Sequence, residues 1–255
     1  MSWQSTVWRG FATQGGSSGS RSITQLGNIY DKQGEQDGHR RRQQIDAPDP
    51  RQYPNSTMIR AGRSDEIRAD SGKWVIIDIG FANNARSCGL LFENESPVDV
   101  QFSEAIHRIC RFISLQSGPV NLLIEAPLSV AFDHRGNPKG RSVEKQNSNT
   151  RYWYVGLGCA VMVAALYLIK AVIQAKPNAD IRLFEGFVSY KESKKKTGHC
   201  QDVLLLREVV DNPDRYSDAI FLSDSLKMDH TDTLNSAFMV AGVDAGIPPI
   251  IMRNG

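Results

Sequence analysis

Cysteine is scarce in this chain and scattered. The four thiols, Cys88, Cys110, Cys159 and Cys200, form no CxxC pair. That spacing argues against a zinc ribbon or a disulfide framework and fits a reducing, cytoplasmic compartment. Histidine is nearly as rare, with five in 255 residues, and no histidine-rich zinc set is present. Charge of one sign is also lacking. Thirty Lys and Arg against 28 Asp and Glu leave a formal net charge of +2, so no overall polyanion-binding signature exists. Met1-Ser-Trp-Gln-Ser has no basic stretch followed by an apolar core, and a secretory signal is not expected.

Apolar residues are few and aperiodic over residues 1–72. This stretch is rich in Gly, Ser, Gln, Arg and Asp, as in Gly15-Gly-Ser-Ser-Gly-Ser and Arg40-Arg-Arg-Gln-Gln. Such a segment cannot bury enough surface to offset its ordering entropy. It reads as a flexible, low-order N-terminal arm. Trp3, Val7, Trp8 and Phe11 form a small apolar cluster suited to docking on a partner; the alternative is a disordered tail with incidental aromatics.

From Lys73 the texture changes, and residues 73–255 read as one domain. Apolar, β-branched runs predict strands at 74–79, 88–93, 98–102, 120–124 and 181–184. Ile106, Ile109, Cys110 and Ile113 follow a helical stripe behind a cap at Ser103. Further helices are expected near 201–210 and over 231–243. Residues 152–169 carry no charged side chain, a borderline length for a membrane span. Spanning a bilayer there would separate the strands bearing Glu125 and Glu185. The segment is therefore expected to be a helix covering a sheet, with Gly156 and Gly158 permitting close packing and no membrane involved. Three strands in hairpin order, then alternating helix and strand, make an α/β domain with a mixed five-stranded sheet flanked by helices.

Acidic residues interrupt these apolar runs. Asp78 lies in Trp74-Val-Ile-Ile-Asp-Ile-Gly, Glu125 in Leu122-Leu-Ile-Glu-Ala-Pro and Glu185 in Ile181-Arg-Leu-Phe-Glu-Gly. A carboxylate in a buried strand is costly unless paired, hydrogen-bonded or metal-bound. If these strands are parallel neighbours, their C-terminal ends meet at the edge where open α/β sheets bind ligands. Asp229 and Asp232, three apart, would share one face at the start of the last helix. Oxygen donors of this kind suit Mg²⁺ or Mn²⁺. Two such ions roughly 4 Å apart could activate water and stabilise the leaving oxygen of a phosphodiester.

This order of strands and acids resembles the RNase H-like superfamily, and within it RuvC-type Holliday junction resolvases. It also resembles a related uncharacterised bacterial family expected to share the fold, which the position of Glu185 matches better. The resemblance covers about residues 73–245. It implies a metal-dependent nuclease with Asp78, Glu125 and Asp232 as catalytic metal ligands and Glu185 or Asp229 as a further ligand. It further implies action on DNA or RNA, branched or structured DNA included, and a homodimer with the apolar helix near its interface.

Other readings stay open. Asp78-Ile-Gly also resembles the first phosphate loop of the actin and sugar-kinase fold, but Phe81-Ala-Asn lacks the hydroxyl residue that loop wants. Asp229 could be a helix N-cap, Asp232 a first-turn acid favoured by the helix dipole, and Glu185 a structural partner of Lys191. His199 beside Cys200 invites a nucleophile pair, but no orienting acid is evident. Basic residues cluster after Glu125 (Arg135, Lys139, Arg141, Lys145) and after Glu185 (Lys191, Lys194, Lys195, Lys196). They either guide phosphates toward the metals or form solvated loops. Residues 73–255 balance twenty basic against twenty acidic side chains. That balance, with the long arm, also allows a non-catalytic scaffold or nucleic-acid-binding subunit of a larger complex.

Overall fold

The computed structural model describes residues 59–81, 85–146, 149–150, 157–175, 177–189 and 198–254. The aromatic cluster of the arm and Lys191, Lys194, Lys195 and Lys196 lie outside the described residues. Chain contacts divide the protein at Asp49, and the unit described below is the second, Pro50–Gly255.

Its elements are β1 (Ile59–Ala61), β2 (Lys73–Ile79), β3 (Cys88–Phe92), β4 (Val98–Val100), α1 (Phe102–Ser114), β5 (Val120–Glu125), β6 (Ser129–Phe132) and β7 (Pro138–Lys139). There follow β8 (Lys145–Gln146), β9 (Asn149–Thr150), α2 (Leu157–Gln174), β10 (Ile181–Ser189), α3 (His199–Asp211), β11 (Ile220–Phe221), β12 (Thr233–Ser236) and β13 (Ile250–Asn254). Eight strands form one mixed sheet in the order β11-β13-β10-β5-β2-β3-β4, with β1 also on β10. The five expected strands are contiguous within it. β2, β5 and β10 are parallel neighbours, and β2, β3 and β4 form an antiparallel meander. The parallel strands are buried on both faces, which explains why they read as continuous apolar runs.

Side chains alternate across the sheet, and this splits the core in two. Val75, Ile77 and Ile124 pack on one face with α1 and α2. Trp74, Ile76 and Leu123 pack on the other with Val203, Leu206, Val209 and Val210 of α3. Helix α2 is long and apolar enough to cross a membrane by length and composition. Its Val161, Ala165, Leu168, Ile169 and Val172 nevertheless lie in the core, as expected for a helix covering a sheet. Leu157, Val163 and Tyr167 are exposed on its outer side.

Three expectations change. Residues 59–72, expected within the arm, are part of the domain. β1 pairs with Ile181–Leu183 on the edge of β10 that β13 occupies further along, Ile67 is fully buried, and Trp74 donates its indole N–H to Arg68 O at 2.8 Å. Polar composition hid these residues because Arg60, Glu66, Asp180 and Arg182 satisfy one another. The five-stranded expectation becomes eight because β1, β11 and β13 are short or follow prolines. The third change is at 231–243, which is not a helix. Thr233–Ser236 pairs antiparallel with β6, and Ala237–Ala241 is a 3-10 turn stopped by Gly242 at φ 76°. The acid taken as a helix-opening signal closes a turn instead: Asp232 Oδ2 accepts the backbone N–H groups of Met228 and Asp229.

The cluster at β1 carries a pH prediction. The Arg60 guanidinium, 2.6 Å from Glu66 Oε1, together with Arg63 N–H and Arg182, holds the Glu66 carboxyl at about 2 against its usual 4.5. A depressed carboxyl adds stability above its unfolded value and loses it as pH falls toward the folded one. Urea denaturation should therefore show stability lost between pH 4.5 and pH 2. Glu66→Gln should flatten that acid limb and lower stability at pH 7. An unchanged limb in the variant would assign the loss to other carboxylates.

Candidate metal centre

Asp78 is the penultimate residue of β2 and is directly paired with Glu125, the last residue of β5. Cross-strand partners share a face, so both side chains rise on the side of α3. Glu125 Oε1 accepts the backbone N–H of Val188 at 3.1 Å, and its side chain also hydrogen-bonds with Asp78. Helix α3 enters over this edge with Gly198 as its N-cap. His199, its first residue, brings Nδ1 to 2.6 Å from Asp78 Oδ2. Asp202, three residues on, returns to the same helix face. One ligand atom from each of Asp78, His199 and Asp202 lies within 4.8 Å of the others.

Glycine backbone makes this approach possible. A Cβ on Gly80 would stand 2.2 Å from His199 Cε1 and Nε2, and one on Gly89 would stand 2.4 Å from His199 O. The first turn of α3 thus rests on bare backbone of the β2–β3 hairpin. Gly80→Ala is expected to displace the imidazole and weaken Mn²⁺ binding by about tenfold, the scale seen when a ligand loses its support. Titration calorimetry on the folded variant measures this, and wild-type affinity would show that the imidazole has room to move.

The electrostatics follow from the packing. Burial pushes the Asp78 carboxyl up. The hydrogen bond from His199 opposes this, and nearby Asp202 adds to it. His199 is held above its ordinary value, first by its hydrogen bond with Asp78, against a partial desolvation cost. Asp78 and Asp202 beside the imidazole, with Glu125 hydrogen-bonded to Asp78, gather negative charge that a divalent cation would offset. The donors fit such an ion: two or three carboxylate oxygens and one ring nitrogen.

Sequence reasoning reached Asp78 and Glu125 and missed the two candidate ligands on α3, His199 and Asp202. His199-Cys-Gln-Asp202 has the spacing by three that was weighed at Asp229 and Asp232. The histidine was set aside for want of an orienting acid, and that acid is Asp78. Cys200 points elsewhere. Its thiol donates to Asp99 at 3.1 Å and is pushed up to about 11 by burial and by Asp99, which leaves little thiolate for nucleophilic attack.

The remaining expected ligands stand apart from this group. Glu185 pairs with Ile124, one residue out of step with Glu125, so the sheet lies between them. Its partners are Arg141, with Nη2 2.8 Å from Glu185 Oε1, and Leu128 N–H at 2.8 Å. Asp232 accepts Lys139 Nζ at 2.7 and 2.8 Å, and the lysine holds its carboxyl below the usual range. Asp229 is exposed and caps the turn at Thr231. Among the basic residues, Arg141 is fully buried, so it cannot touch a nucleic acid in this conformation. Lys139 is half-buried against Asp232, whereas Arg135 and Lys145 are exposed.

No family model, curated protein or solved structure matches this chain.

Proposed function

We propose that this protein is a metal-dependent nuclease of the RNase H-like type, cutting DNA or RNA phosphodiesters in the cytoplasm. Its metal ligands are Asp78, Glu125, His199 and Asp202. The observation that carries this reading is the convergence of Asp78, His199 and Asp202 within 4.8 Å at the C-terminal ends of parallel strands, beside Glu125. In support, the three hairpin-ordered strands β2, β3 and β4 and the later strands β5 and β10, on which the resemblance rests, are contiguous in one sheet. The resemblance implies an acidic pair spaced by three at the start of the last helix; here an imidazole and a carboxylate, His199 and Asp202, stand three apart at the start of α3 instead.

Bound Mg²⁺ or Mn²⁺ would supply Lewis acidity to a phosphoryl oxygen and lower the pKa of a bound water. The chain's own residues prepare the site. Val188 N–H fixes the Glu125 carboxylate, and α3 fixes His199 and Asp202 on one rigid turn. Substrate phosphates would be held by exposed cations such as Arg135 and Lys145. The test is cleavage of duplex, single-stranded and four-way-junction DNA and of RNA, with MnCl₂ or MgCl₂ and with EDTA. Metal-dependent scission in any of these supports the reading. Metal binding without scission of any would favour a non-catalytic scaffold instead. That second reading draws on the loop after Glu125, where Arg141 and Lys139 are committed to Glu185 and Asp232, leaving fewer cations for phosphates.

A further inference from the structure

We propose that His199 makes this centre selective for a divalent transition metal, Mn²⁺ foremost, over Mg²⁺. The inference rests on the proposed metal centre and adds the class of ion it takes. Its basis is the donor set and the way the ring is held. Mg²⁺ is small and hard, demands a near-ideal octahedron of oxygens and dehydrates reluctantly. An imidazole nitrogen in the ligand set penalises it, because that nitrogen replaces a well-bound oxygen. Later divalent metals accept imidazole readily. Asp78 and Asp202, with Glu125 beside them, still demand a cation content with carboxylate oxygen, and Cys200 is turned toward Asp99. With no thiolate in reach, the ion that tolerates both donor types while remaining close to Mg²⁺ in geometry is Mn²⁺.

The ring has little freedom to avoid this role. Its Nδ1 edge faces Asp78 at 2.6 Å. Its Cε1–Nε2 edge abuts Gly80, where even a methyl group would overlap it. The ring nitrogen turned toward the carboxylates is Nδ1, and binding an ion there would exchange its hydrogen bond with Asp78 Oδ2 for a bond to the metal. The ring is anchored at the first turn of α3, whose Val203, Leu206, Val209 and Val210 are buried against the sheet.

The test uses the full chain and two readouts besides activity. Calorimetric titration with MnCl₂ and with MgCl₂ should give Mn²⁺ the tighter binding by at least about tenfold, the softer-donor preference expected of imidazole. In His199→Asp, which makes the ligand set all oxygen, that ratio should fall by about tenfold or more, chiefly through weaker Mn²⁺ binding. Pulsed electron paramagnetic resonance of the Mn²⁺-loaded wild type should show nitrogen-14 modulation from a directly bound imidazole, and this requires no variant to fold. Mn²⁺ bound without nitrogen modulation would overturn the selectivity role while leaving the metal centre standing. So would an equal Mn²⁺-to-Mg²⁺ ratio in wild type and a folded His199→Asp. Failure of the wild type to bind either ion would overturn both this inference and the proposed function.

Discussion

Asp78→Asn should remove Mn²⁺ binding and any metal-dependent cleavage together, while the protein stays folded. Outer-shell changes already cost roughly 10–100-fold in metal affinity, so loss of a ligand at the middle of the group should exceed about 100-fold. Asp78 is that middle residue: it pairs with Glu125 across the strands and lies 2.6 Å from His199. Asparagine keeps an oxygen to accept from Nδ1 and loses the negative charge. The sign of the stability effect follows from burial. A carboxyl pushed above its ordinary value by its surroundings costs stability once pH passes that ordinary value, because the buried site disfavours the charge. At pH 7 the metal-free variant should therefore melt at the same temperature as the wild type or higher. Scanning fluorimetry without metal and calorimetry with MnCl₂ measure the two halves. A large fall in melting temperature with metal affinity retained would make Asp78 a structural acid.

Arg141→Met should be strongly destabilising. The guanidinium is fully buried with Glu144 and Glu185, both fully buried too. Its Nη1 donates to Glu185 Oε2 at 2.9 Å and to Ser129 Oγ at 2.8 Å, and Nη2 lies 3.2 Å from Glu144 Oε1. Removing the one cation strands two carboxylates away from water. Breaking a buried ion pair costs about 3–5 kcal/mol, and in a domain of this size each kcal/mol shifts the melting temperature by roughly 2–4 °C. A fall on the order of 10 °C is expected. The triple variant Arg141→Met, Glu144→Gln, Glu185→Met should recover much of it, because an uncharged replacement of the whole network removes the cost of desolvating its charges as well. Had Arg141 been a phosphate contact, as its basic neighbourhood suggested, the single variant would weaken nucleic-acid binding and leave the melting curve in place.

These two residues show where the sequence was legible. Asp78 and Glu125 were readable because each ends a continuous apolar run, and a charge in such a run needs a partner. Arg141 was not. A cation in a polar loop looks solvated, and its burial depends on Glu185 arriving from 44 positions away. Glu185 itself looked like a third ligand because its run matched those of Asp78 and Glu125. The strand actually continues to Ser189, and its register sets Glu185 beside Ile124. One residue of register is enough to send a side chain to the opposite face. Asp232 carried a helix-start signal, but Thr233–Ser236 found a strand partner in β6, and tertiary pairing overrode the local preference.

By itself the sequence determined the α/β class, the buried parallel strands, the α1 stripe, the core-facing role of the uncharged helix and two of the acids at the sheet edge. Each is written in a local period or in a single misfit within that period. The tertiary structure decided the place of residues 59–72 in the domain, the face of Glu185, the strand at 233–236 and the pairing of His199 with Asp78 across 121 positions. Local patterns report which residues want burial, but the group of Asp78, His199 and Asp202 forms only where distant strands and a helix end meet. That meeting is fixed by register and by two glycines that let α3 sit down on the sheet.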